Sequence, residues 1–154
     1  MEHFPVETYL KQVTGFYELL AGLEDIADIH TDADTWTIRN HVAHLIDSAS
    51  NNHQRFVRLQ LSPSIVFPSY EAEPWVDTSR IRQMDFRQLI LLWKLYNEYL
   101  LEIIRTIPED CLMHTWQPEN GRSPLTLEFL VQDYYVHMKI HEKMIGEIAA
   151  VCSR

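Results

Sequence analysis

The sequence predicts an all-α protein, a four-helix bundle with a long crossover between its second and third helices. Two observations carry that prediction. Four stretches place apolar residues every three or four positions, the period of a helix that buries one face. All 7 prolines lie at the edges of those stretches or between them. All but Pro5 gather in two connections that cannot hold regular helix throughout. Helices joined in that way form a bundle whose order is not simple up-and-down. The 154 residues, 46% of them hydrophobic, are enough for one sizeable core, so residues 1–154 are expected to form a single domain.

The first helix is predicted from Pro5 to about Leu23 by the spacing of Val6, Tyr9, Leu10, Val13, Phe16, Tyr17 and Leu20, with Pro5 near its first turn. A polar run follows, in which Thr35 and Thr37 are candidate caps for a second helix that continues to Leu61 without a Gly or Pro. Pro63 stops it. The crossover then carries Pro63, Pro68 and Pro74 and is expected to be a long loop with some local structure. The helical period resumes from Phe86 to about Ile107, ending before Pro108. The next connection holds Pro118, Gly121 and Pro124 and suggests a short extended pair, around Met113 to Trp116 and after Gly121. A last helix, Leu127 to Ile148, shows an apolar stripe of Leu130, Tyr134, His137, His141, Met144 and Ile148.

Composition excludes several classes of function. A net charge of -9, with no basic run, argues against nucleic acid, whose phosphates are bound chiefly by clustered Lys and Arg. No apolar run reaches the roughly 18 residues of a membrane span, and no basic and apolar leader opens the chain, so a cytoplasmic setting without membrane contact is expected. Cys111 and Cys152 lack the CxxC spacing of a thiolate metal site and read as free thiols.

The chain has 8 histidines. His3, His30 and His114 fall in a terminus and in connections, where imidazoles are usually solvated. His137 and His141 differ, because they sit one turn apart in the middle of an apolar stripe, with both rings aimed the same way. An H-x-x-x-H pair of this kind can chelate one ion at about 2.0 to 2.1 Å per bond, and can equally be a pair of buried, hydrogen-bonded histidines. Glu142 follows His141 directly and so points about 100° away around the helix, which excludes the HExxH protease arrangement. For a third ligand, the second helix offers His41, His44 and His53. A wheel centred on Ile38, Val42, Leu45, Ala49 and Phe56 puts His41 and His53 nearer the apolar face than His44. Periodicity does not choose among them.

Several segments together resemble a known family. The run Trp36 to Ser48, WTIRNHVAHLIDS, resembles the second-helix signature of the YfiT-like branch of the DinB superfamily, metal-dependent hydrolases that include bacillithiol S-transferases. Tyr70 to Trp75 is similar to that branch's Y-D-E-K-A-W stretch. Trp116-Gln117-Pro118-Glu119 with Thr126-Leu127-Glu128 resembles its H-P-(D/E)…T-L-E segment, and Tyr134 to His141 its closing Y-x-W-H-x-x-x-H. The likeness spans roughly residues 30 to 150. Gln117 departs from it where the branch often has His, and Val136 where it has an aromatic residue.

The resemblance implies a DinB-like bundle with a divalent metal site of His44, His137 and His141, zinc or nickel being the ions favoured, and a homodimer. Three neutral imidazoles and no carboxylate leave such an ion its full charge and an open position. That arrangement implies an enzyme that activates either a low-molecular-weight thiol for transfer or a water for hydrolysis, acting on a small molecule. A non-catalytic metal-binding or stress-response bundle is the alternative that Gln117 and Val136 keep open. Asp47, one turn after His44, and Asp133, one turn before His137, are candidates to accept the second N–H of a ligand imidazole. Tyr70, Trp75 and Trp116, from the two connections, are candidates to line the mouth of the pocket.

Overall fold

A computed structural model describes residues 3–153. The helices are α1 (Val6–Ala21), α2 (Ile38–Leu61), the short α3 (Ala72–Ser79), α4 (Phe86–Arg105) and α5 (Leu127–Cys152), and the strands are β1 (Ser64–Val66), β2 (Thr115–Gln117) and β3 (Leu125–Thr126). The four long helices form the expected bundle. α1 packs on α4, α4 on α2, and α2 on α5. Gln12 Nε2 donates to the Tyr135 carbonyl at 3.1 Å and Tyr9 stacks on Tyr135 with centroids 3.8 Å apart, which brings α5 back to α1. The first two long helices are thus placed diagonally, and the order is not up-and-down.

Local chemistry sets the helix ends. Thr37, one of the two expected caps, accepts from Asn40 N at 3.3 Å, while Asp85 and Thr126 accept from Gln88 N and Phe129 N at 3.1 and 3.2 Å. Each side chain satisfies one of the amides that a helix start leaves without a partner. Pro74 falls in the first turn of α3, where its missing N–H costs nothing, so the crossover holds a short helix despite its prolines.

The extended pair expected in the second connection is β2 with β3, antiparallel, in register Trp116 with Leu125. Its loop contains Gly121 at φ 74, a left-handed backbone suited to glycine. The pair gains a third strand that the sequence did not suggest. β1, directly after α2, runs parallel to β2 with Ile65 opposite Trp116. Trp116 Nε1 donates to the Phe67 carbonyl at 2.7 Å, locking the crossover to the second connection. The two segments that carry Tyr70 and Trp116 therefore meet beside α2 and α5.

The core follows the predicted stripes with one shift. On α5, Met144 is 37% exposed and Ile145 fully buried, so after His141 the buried face continues through Ile145 and Ile148. The stripe expected from the sequence runs through Met144 instead of Ile145, because 3.6 residues per turn lets either neighbour follow His141. Within this core, Asn97 is fully buried and satisfied, accepting from the Tyr134 hydroxyl at 2.7 Å and donating to the Trp93 carbonyl at 2.8 Å. No helix among the described residues is long and apolar enough to cross a membrane. Cys111 and Cys152 are free.

Candidate metal centre

α2 and α5 face each other where their histidines lie. His44 comes from the second turn of α2, and His137 and His141 come from successive turns of α5. His44 Nε2 lies 3.2 Å from His137 Nε2, and His137 Nε2 lies 3.0 Å from His141 Nε2. One ligand atom from each of the three falls within 4.8 Å of the others. Two nitrogens bound tetrahedrally to one ion at the usual bond length stand roughly 3.3 Å apart, so the spacing suits a shared ion. His53 is not part of the group: its Nδ1 meets the Tyr96 hydroxyl at 3.1 Å, and its ring packs edge-on to Tyr96 and Tyr99. His114 bonds to the Leu59 carbonyl.

The third histidine of α2, His41, supports the centre from behind. Its Nε2 lies 3.0 Å from Asp34 Oδ2 and its Nδ1 lies 2.8 Å from His141 Nδ1. A carboxylate only accepts, so His41 carries its proton on Nε2 and offers a lone pair at Nδ1. His141 must then donate from Nδ1, which leaves its Nε2 as a bare lone pair facing His44 and His137. The protonation pattern is the one a metal ligand requires. Asp34 is itself held by the Trp36 backbone N–H, which donates to Oδ1 at 2.9 Å. The Trp36 ring lies 5.4 Å from both the His41 and His44 rings, centroid to centroid, and covers them.

Burial keeps the cluster neutral. It lowers the pKa of His44 to about 4 and that of His141 to about 3, with the neighbouring imidazoles adding to the effect, and it lowers His137 against the opposing pull of Asp133. Neutral imidazoles crowded nitrogen to nitrogen cannot all hydrogen-bond to one another: the single proton that His137 Nε2 could carry serves at most one good bond, while it faces two ring nitrogens. A cation among the lone pairs resolves that conflict, so the residues fit a metal ion.

The candidate supporting aspartates are placed otherwise. Asp47 is buried with Oδ2 lacking a partner among the described residues, and His44 Nδ1 likewise has none there, so the two do not pair. Asp133 is exposed and makes no hydrogen bond to His137 among the described residues. The acceptor found is Asp34, working through His41, which spacing along one helix could not reveal. Burial raises the Asp47 carboxyl to about 6. A carboxyl raised in the fold is bound to its proton more tightly than in the unfolded chain, so its contribution is present below about pH 4 and is lost as pH rises through 6. Asp47→Asn is expected to stabilise the metal-free protein at pH 7 by about 1 to 2 kcal/mol, the shift being discounted for partial exposure to solvent, and to make little difference below about pH 4. Urea unfolding of both proteins at the two pH values measures this, and an equal difference at both would contradict it.

Tyr70 and Trp116 line a cavity of about 180 Å³ that also includes His137. Trp75 does not line it. It is 41% exposed, stands behind Tyr70 with ring centroids 5.1 Å apart, and borders a separate surface hollow with Pro74. Gln117 is turned away from the imidazoles, its amide donating to the Arg122 and Pro118 carbonyls at 2.6 and 3.3 Å across the loop before β3. Val136 is exposed on the outer face of α5.

No family model matches the chain, and no curated protein matches it. Among solved structures the chain is similar to YfiT from Bacillus subtilis, described as "a probable metal-dependent hydrolase with an unusual four-helix bundle topology". The identity is 21%, the likeness covers 99% of this chain and 92% of that one, and the TM-score is 0.67. At that identity the likeness is one of fold.

Proposed function

We propose that this chain is a metal-dependent enzyme in which His44, His137 and His141 hold one divalent ion through their Nε2 atoms, and that it activates a small nucleophile for attack on a small molecule. The observation that carries the reading is the convergence of those nitrogens with the His141 proton pinned away from them by His41 and Asp34. A bound divalent ion supplies Lewis acidity, which makes a water or a thiol a stronger acid and so a ready nucleophile near neutral pH. The protein supplies the rest. His44 and His137 reach in from opposite helices, and Asp34 through His41 fixes the ring of His141. Tyr70 and Trp116 wall a cavity at the half-buried His137, giving a reacting molecule a way in. Hydrolysis is the reading that agrees with the description of the structural neighbour. Thiol transfer uses the same imidazoles.

Zinc and nickel both suit three imidazoles. The proposal includes a cytoplasmic homodimer, for which Val136, Ile140 and Met144 leave successive turns of α5 exposed and apolar; light scattering measures its mass. The test of function is turnover of a panel of small esters and amides, with and without added thiols, on zinc-loaded, nickel-loaded and chelator-treated protein. Turnover should depend on the ion, vanish with chelator and return on reloading. Stoichiometric ion with no turnover of any substrate would favour a non-catalytic metal-binding bundle.

A further inference from the structure

The interior of α2 carries an unusual row of polar side chains. His41, His44, Ser48, Asn52 and Arg55 follow one another at three- and four-residue steps and are all buried. Arg55 ends the row. It is 7% exposed, and among the described residues no carboxylate lies within ion-pair reach of it. Its Nη1 reaches Asn52 Oδ1 at 3.3 Å, its Nε has no partner among the described residues, and its guanidinium lies over the Trp116 ring, 3.9 Å from the centroid. Burial pulls its pKa below the ordinary arginine value. A buried guanidinium normally meets a carboxylate fork-to-fork, because removing an ion from water costs several kcal/mol unless a counter-charge offsets it. Asp47 is buried two turns earlier on the same helix and does not serve. The missing negative charge must come from elsewhere.

The cavity beside it gives the place. Arg55, Ser48, Asn52, Tyr70, Trp116 and His137 all line the same space of about 180 Å³. That is the volume of roughly six waters, enough for one end of a small molecule. We propose that this cavity recognises the carboxylate of the substrate, with Arg55 as its counter-charge and Trp116 holding the guanidinium in place, so that a carboxylate-bearing molecule is set beside His137. This rests on reading the three histidines as the reaction centre. Asp133 also lines the cavity, exposed at its rim. One guanidinium opposed by a rim carboxylate suits a single negative charge better than a dianionic phosphate.

Fluoroacetate, followed by fluorine NMR, is the probe. It is titrated into zinc-loaded and chelator-treated full-length protein, for wild type, Arg55→Gln and Arg55→Lys, with inorganic phosphate as competitor and zinc content measured for each protein. Arg55→Gln should weaken binding about 10- to 100-fold with zinc content unchanged. Arg55→Lys, which keeps the charge and covers the case in which the Gln variant does not fold, should restore only part. Binding that depends on zinc but not on Arg55 overturns the proposal while leaving the metal reading intact. Arg55-dependent binding in a protein that takes up no zinc supports the anion site and removes the metal reading instead. Phosphate binding more tightly than fluoroacetate overturns the choice of a carboxylate.

Discussion

Replacing His137 by alanine is expected to empty the metal centre and leave a folded bundle. His137 is the middle nitrogen of the cluster, the only one of the three with short contacts to both others, at 3.2 and 3.0 Å. Two imidazoles from different helices, His44 and His141, would remain, and they lack the chelate that one turn of α5 provides. Loss of a supporting residue alone typically weakens a metal site about 10- to 100-fold, and loss of a ligand should exceed that. The fold should survive because His137 is only half-buried, while the core beneath rests on Leu130, Tyr134, Met138 and Ile145. Metal analysis and circular dichroism on the purified variant check both parts. Unchanged metal content would defeat the assignment.

A second large effect is expected from His41, which touches no ion. His41→Phe keeps the volume of the ring but removes the lone pair that accepts the His141 Nδ1 proton. His141 can then rotate or move its proton to Nε2, where it would face the ion. Metal affinity, measured by competition with a chromophoric chelator, should fall about 10- to 100-fold. Asp34→Ala should act in the same direction and less strongly, since His41 remains to accept in part of the population. Wild-type affinity in both variants would mean that the His141 ring is positioned by packing alone.

The helices were legible because each buries one face, and a period of three to four residues survives in the sequence whatever the partner helix is. The i,i+4 pair His137 and His141 was legible for the same reason, being contained within a single helix. The third member was not: on a helical wheel His41 and His53 stood nearer the apolar face than His44. All three turned out buried or half-buried with different partners: His41 and His44 lie on the polar face of α2 towards α5, whereas His53 packs on Tyr96 and Tyr99 of α4. Resemblance, not spacing, singled out His44. Asp34 and β1 were missed for a common cause. Each acts on a segment that is distant in sequence or folded back on itself, and nothing local marks such a contact. Arg55 had a signal that could have been used, since the steps from His41 through His44, Ser48 and Asn52 to Arg55 trace one line along a helix otherwise sorted into apolar and polar faces.

The central claim is that α2 and α5 share one ion. Crystals grown with zinc and measured at wavelengths on either side of its absorption edge address it most directly. An anomalous peak is expected about 2.0 to 2.1 Å from the Nε2 atoms of His44, His137 and His141, with His141 Nδ1 still bonded to His41. A zinc-saturated crystal with no peak between the two helices, or with a peak that leaves any of the three nitrogens uncoordinated, would contradict it.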